Sequence, residues 1–318
     1  MYKYKAEIIE DSLSPKGDRL TTFVVVFPRI VLAEFNTHRM FSRNSASSRA
    51  IPFKKMVKMV KENPFIPIAW QKEHKGMQGT EYFNKDYDIA ERQTSWLIAK
   101  DDAIKEAIRL NKLEVTKQLC NRLLEPFMWH KVIITSSEEG LQNFFKLRCP
   151  SYFGKYKSWK DACVVNGSLD FDASTLERLK NNKSQADIHI QAIAELMWDA
   201  YNESTPKNLK EGDWHLPFSN NIDWDKLYPE PHSDLDNVTA LQVAHVKVIK
   251  IAVARCARVS YQTLGDNPVI DYEKDIDLFY KLKNSEHWSP FEHIAKATNT
   301  SDWDRNFKGF KQLRSILD

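Results

Sequence analysis

What most constrains this chain is the passage from an uninterrupted apolar run, Phe23-Val24-Val25-Val26-Phe27, to the donor-crowded stretch Asn36 to Arg49. Those fourteen residues hold three arginines, one histidine and four serines. Such a density of donors suits an anion. The planar forks of Arg39 and Arg49 match phosphate oxygens, and short serines let backbone amides approach closely. The plainer alternative is a solvated polar loop after a strand, because serine and arginine are common in turns.

The surrounding pattern mixes strands and helices. Lys5 to Glu10 and Leu20 to Phe27 are rich in β-branched and apolar residues and read as paired strands around the turn-prone Ser12 to Asp18. Arg29 to Phe35 is a helix start or a strand end; periodicity does not separate the two. Lys54 to Lys61 is basic and amphipathic, and Pro64 and Pro67 then forbid a helix interior. From Asp86 to Leu124 the spacing of Trp96, Ala99, Ala103, Ala107 and Leu110, then of Val115, Leu119 and Leu123, predicts two long helices broken near Asn111. Lys131 to Thr135 reads as a strand. Ser184 and Asp187 mark a helix start, followed by an apolar face of Ile190, Ile193, Ala194 and Met197. A further helix is expected over Val238 to Val259, and another capped by Asp271. Between them Asn202 to Asn237, with Trp214, His215, Trp224, Tyr228 and His232, reads as an aromatic irregular segment. It is a lid, an interface arm, a stacking platform for a pterin or nicotinamide, or packing over the core; packing is the expectation.

Of 318 residues, 46 are Lys or Arg and 43 are Asp or Glu, a formal charge of +3. That balance argues against nucleic acid or a membrane surface as partner, so any anionic substrate must be held by local clusters. No apolar run approaches the roughly 20 residues of a membrane span, and the first residues carry no signal-like segment. A cytoplasmic protein is expected. Cys120, Cys149, Cys163 and Cys256 are scattered, which suggests buried thiols rather than a zinc site or a disulfide framework; no metal is expected.

The order of the polar residues is more specific than their composition. His38, Arg39, Ser42, Asn44, Ser47 and Arg49 fall in register on a signature reading Arg-His-Arg, two free positions, Ser, one free, Asn-Glu, one free, Ser, one free, Arg. Thr37 stands in place of its first Arg and Ser45 in place of its Glu. Asn143-Phe144-Phe145-Lys146-Leu147-Arg148 matches a second motif of Asn, an aromatic, two variable positions, Leu and Arg. Ser289-Pro290-Phe291-Glu292-His293 matches a third. On these motifs the chain resembles the flavin-dependent thymidylate synthases. The third motif precedes the first in that family and follows it here, so the chain resembles a circularly permuted member.

The resemblance implies an α+β fold, an antiparallel sheet flanked by long helices, in a single catalytic domain over 1–318 with insertions near 150–185 and 202–237. It implies a homotetramer with shared active sites, and reductive methylation of dUMP to dTMP with FAD, NADPH and methylenetetrahydrofolate. His38, Arg39, Asn44, Asn143, His287 and Ser289 would contact the flavin. Ser45, Ser47, Ser48, Arg49, Arg122 and Arg148 would contact the nucleotide, with Arg148 also stabilising negative charge on the pyrimidine ring. On local grounds alone Arg122 is a helix-face arginine paired to Glu125, and His287 and His293 are structural histidines. Thr37 and Ser45 keep open a hydroxymethylase or methylase of another pyrimidine nucleotide; the alternative from another class is a non-catalytic nucleotide- or nucleic-acid-binding protein using the same arginines. If the permutation is real, His287 to His293 must lie beside the first strands and border one cavity with His38 and Arg39.

Overall fold

The computed structural model describes residues 4–76, 79, 81–149, 187–228, 237–261 and 271–318. The insertion expected near 150–185, together with Cys163, Ser184 and His232, lies outside the described residues. The described chain is α+β.

Strands β1 (Lys5–Leu13) and β2 (Arg19–Pro28) form an antiparallel hairpin. Its turn places Gly17 at φ 85°, a conformation that costs glycine little. The next strand is the short β3 (Ser42–Ser45), followed by helices α1 (Phe53–Glu62) and α2 (Asp86–Lys112) and then by β4 (Trp129–Ser137). β4 pairs antiparallel with β2 in unbroken register from Leu20↔Ser137 to Pro28↔Trp129, and β3 pairs antiparallel with β4. With β5 (Lys207–Asn208), parallel to β1, the sheet order is β3-β4-β2-β1-β5. β3 is therefore an edge strand.

Helices cover both faces, which explains why the Phe23 to Phe27 part of β2 is apolar throughout instead of alternating. Phe23, Val25, Phe27, Val132 and Ile134 pack against α3 (Glu138–Arg148) and α4 (Ile188–Glu203) through Phe144, Phe145, Ile190, Ile193 and Met197. Val24 and Ile133 face α5 (Asn237–Tyr261), where Ala244, Val248, Ile251 and Ala252 are fully buried. α6 (Tyr272–Asn284), capped by Asp271 through Lys274 N, lies along α5. Leu216, Ile222 and Leu227 join this second apolar cluster, so the 202–228 part of the aromatic segment packs over the core.

A polar row crosses that second face. Thr22 and Thr135, cross-strand partners, share a 2.7 Å hydrogen bond. Thr135 also meets His293 Nδ1 at 2.9 Å, Thr22 meets His215 Nε2 at 2.8 Å, and His215 Nδ1 meets Ser12 at 2.9 Å. Every member is buried. The row joins β1, β2 and β4 to β6 (Trp214–His215) and to the 3-10 turn Ser289–His293.

The helix expectation over Asp86 to Leu124 is half met. α2 runs to Lys112 and breaks where Glu114 takes φ 60°, but the rest is one turn, Lys117–Cys120, capped by Thr116, and a 3-10 segment, Asn121–Phe127. Pro126 removes a backbone donor, and the chain must straighten to enter β4 three residues later, so no second long helix fits. Arg29 to Phe35 takes the helical of its two alternatives, in short form: a 3-10 turn, Arg29–Val31, followed by one helical turn, Leu32–Phe35. Asp187 is itself the N-cap of α4, accepting from His189 N. Cys120, Cys149 and Cys256 are buried free thiols, and among the described residues no helix is long and apolar enough to cross a membrane.

Burial holds the imidazoles of His215 and His293 neutral, with pKa values lowered to about 3; His130 is lowered to about 3 by burial and then by Arg29. Between pH 3 and about 6.5 the unfolded chain binds more protons at these sites than the folded one, so stability is lost as pH falls through that window. Each group contributes up to about 1.4 kcal/mol per pH unit. The urea midpoint is expected to be clearly lower at pH 5 than at pH 7; identical midpoints would contradict the neutral assignments.

Candidate active site

Edge strand β3 sends alternate side chains in opposite directions. Asn44 points toward α5, donating from Nδ2 to the Cys256 carbonyl at 2.9 Å while its Oδ1 accepts from Ser289 at 3.4 Å. Arg43 points the other way, its Nη1 donating to the carbonyls of Asn36 at 2.8 Å and His38 at 3.3 Å. Beyond β3 the chain turns sharply at Ser48 to Ala50. Asn121 fixes that turn by donating to the Ser48 carbonyl at 2.7 Å and the Ile51 carbonyl at 2.9 Å, and Ser48 Oγ bonds Glu125.

These elements frame a cavity of about 560 Å³. One wall is Arg43, Asn44, Ser45, Ser47, Arg49 and Ala50; Ala257 of α5 and Leu282 of α6 form an apolar wall; His287, Ser289 and Gln118 complete it. The volume lies within the range of small-molecule sites. Two guanidiniums and no carboxylate are among the described lining residues. Arg49 is exposed and has no hydrogen bond or ion pair to any described residue. Arg43 is half-buried; burial lowers its pKa while Glu292 acts in the opposite sense, and Glu292 is itself ion-paired to Arg314.

A second polar cluster lies off the cavity. At the end of α3, Arg148 donates from Nε to His38 Nε2 at 3.1 Å and from Nη1 to Glu34. His38 is buried against Phe41 and Phe144. Burial first, then Arg148 and Arg43, lower its pKa to about 4, so it accepts at Nε2 as a neutral ring with its proton on Nδ1.

Of the residues singled out from sequence, the cavity brings together Asn44, Ser45, Ser47, Arg49, His287 and Ser289. His38 and Arg148 form the second cluster instead. Ser48 braces the turn through Glu125. Arg39, Arg122 and Asn143 are exposed and do not line the cavity. Nor does Arg122 pair with Glu125, whose carboxylate meets Ser48 and Arg29; Arg122 stands four residues after the lining Gln118. His287 to His293 reaches the Asn36 to Arg49 segment through Ser289–Asn44, but its hydrogen bond to the sheet, His293–Thr135, is to β4 and meets the first strands only through the Thr135–Thr22 bond; it shares the cavity with residues between Arg43 and Ala50 and not with His38 or Arg39. Arg43 and Gln118 are lining residues that the sequence motifs do not single out. Arg43 occupies a free position of the signature, and only its place one residue before Asn44 on the edge strand could have pointed to it.

No family model matches the chain, and no curated protein matches it. Among solved structures, a UMP/dUMP methylase, PolB from Streptomyces cacaoi, bound with 5-Br UMP, is similar over 64% of this chain and 95% of that one, at 15% identity and a TM-score of 0.42. The same protein bound with 5-Br dUMP is similar over 57% and 73%, at 16% identity and a TM-score of 0.35. Likeness this distant carries no functional conclusion.

Asn44 couples both halves of the site, so Asn44→Ala is expected to cost about 1–2 kcal/mol in urea unfolding, through loss of a buried hydrogen bond to backbone. Ser289→Ala, which removes only 3.4 Å contacts to Asn44 and His287, is expected to cost less. Equal losses would contradict this ranking.

Proposed function

We propose that this chain is a flavin-dependent methylase of a pyrimidine nucleotide, converting dUMP to dTMP. The observation that carries the reading is the single cavity in which Asn44, Ser45, Ser47 and Arg49 meet His287 and Ser289, from motifs about 240 residues apart. The cavity is cationic and rich in hydroxyls on one side and apolar on the other, which suits a phosphate joined to a flat ring. Ser45, Ser47 and Arg49 are the nucleotide side; Asn44, His287 and Ser289 are the side that would hold FAD.

The donor set fits that cofactor in chemistry: a carboxamide, an imidazole and a hydroxyl present both donors and acceptors to a heteroaromatic edge, and Ala257 and Leu282 offer a surface for its ring. When bound and reduced by NADPH, the flavin would supply the hydride. The protein's part is orientation and charge: Arg49 neutralises the phosphate, and the apolar wall excludes water from the ring. No cysteine is among the described lining residues, and burial raises the thiol of Cys256 well above its usual range. This favours chemistry without a thiolate nucleophile. NADPH as reductant, methylenetetrahydrofolate as methylene donor and a homotetramer with shared sites belong to the same reading.

Product mass from dUMP, methylenetetrahydrofolate, FAD and NADPH tests it: a methylated nucleotide is expected. A hydroxymethylated product would favour the related hydroxymethylase, and absence of both product and flavin absorbance would favour a binding protein. Arg49→Ala is expected to weaken dUMP binding by about 1.5–3 kcal/mol, the worth of a charge-assisted contact. Calorimetry showing unchanged affinity would place the phosphate elsewhere.

A further inference from the structure

The cavity requires two distant segments to stay against each other, yet the hydrogen bond that joins them at its wall, Ser289 to Asn44, is long at 3.4 Å. A denser set of contacts lies behind the wall, outside the three sequence motifs. The chain after His293 forms a hairpin of Trp303–Asp304 and Phe307–Lys308. Its base is fixed: Phe307 is buried in a cluster with Leu20 and Phe310, and Asp18 of the β1–β2 turn accepts from Ser301 at 2.7 Å. At its tip Arg305 takes φ 57°, uncommon for a non-glycine residue, and its guanidinium is held by Ser315 at 2.8 Å and Asp318 at 2.6 Å. Asn306, the next residue, reaches the start of β3, donating from Nδ2 to the Met40 carbonyl at 2.9 Å and to Ser42 Oγ at 3.0 Å. Gln312, 1% exposed, brings Nε2 within 3.3 Å of Ser42 Oγ, Asn306 Oδ1 and the Glu292 carbonyl. Ser42 opens the strand that carries Asn44 and Ser45, and Glu292 lies in the same 3-10 turn as Ser289. The two carboxamides therefore tie the first motif to the third. Neither lines the cavity.

We propose that Asn306 and Gln312 are positioning residues of the nucleotide site, setting the wall of Asn44, Ser45, Ser47 and Arg49 against His287 and Ser289. This rests on the methylase reading, which supplies the nucleotide as occupant of the cavity. As an edge strand, β3 has a ladder partner on one side only, β4, so its own backbone bonds leave the other side unheld. Asn306 and Gln312 supply a hold at its first residue. A ligand that touches both walls is sensitive to their separation, and a small displacement of supporting groups weakens every contact that must be made at once.

The test is calorimetric binding of dUMP to the full chain and to Asn306→Ala, Gln312→Leu, Ser42→Ala, the double variant of Asn306→Ala with Ser42→Ala, and Lys308→Ala, each first checked for its thermal transition. Asn306→Ala, Gln312→Leu and Ser42→Ala are each expected to weaken dUMP about fivefold or more, and the double variant no further than its weaker-binding single, because both changes act through one contact. Lys308→Ala removes ion pairs to Asp18 and Glu139 from the same hairpin and is expected to stay within about twofold. Should Asn306→Ala not fold, hydrogen exchange in the wild-type chain replaces it: by reciprocity, dUMP is expected to slow exchange at Asp304 to Lys308 more than in α4, on the other face of the sheet. Wild-type affinity in Asn306→Ala or Gln312→Leu, additive losses in the double variant, an equal loss in Lys308→Ala, or no added protection of the hairpin would overturn the positioning role while leaving the methylase reading standing. Failure of the wild-type chain to bind dUMP would overturn both.

Discussion

The buried polar row from Ser12 through His215, Thr22 and Thr135 to His293 is the constraint on which the rest of the structure depends. It lies where an apolar sheet face meets α5, a setting in which a lone hydroxyl or imidazole would be costly. Because the groups satisfy one another, each is tolerated only while the others stay in register. The two-residue β6 and the single turn Ser289–His293, too short to be stable by themselves, are thereby fixed to strands from the opposite end of the chain. A one-residue slip of β2 against β4 would part Thr22 from Thr135 and turn Thr22 to the other face.

Placement of the cavity follows from that anchoring. With His293 fixed on β4, the turn brings Ser289 to Asn44 and leaves His287 facing the space beside β3. The edge position of β3 matters equally: a strand covered on both sides could not open a wall of Arg43, Asn44 and Ser45 to a ligand. The site is then divided by charge. Arg43 and Arg49 are among the lining residues, whereas Arg148 is paired with Glu34 and His38 and is not.

Much of the fold was legible because it is written in short-range pattern. The apolar run at Phe23 to Phe27, the face of Ile190, Ile193, Ala194 and Met197, and the cap at Asp271 each specify their element locally. What was not legible depends on tertiary context. Lys117 to Phe127 has helical spacing, yet Pro126 and the approach to β4 reduce it to a turn and a 3-10 segment. For the site, motif order could bring Asn44, Arg49, His287 and Ser289 under one hypothesis, but not show that His38 points into the α3 side with Arg148. That outcome is set by Phe41 and Phe144, which enclose the imidazole. Gln118 reaches the cavity only because Asn121 ties its segment to the Ser48–Ala50 turn, a link without a sequence signal.

The central claim is that two motifs from opposite ends of the chain build one nucleotide site. The most direct measurement is the position of bromine, by anomalous scattering, in crystals of the protein with 5-bromo-dUMP. The account places the bromine inside the cavity, between the Asn44–Ser289 contact and the wall of Ala257 and Leu282. An ordered nucleotide bound elsewhere, with this cavity empty, would contradict it.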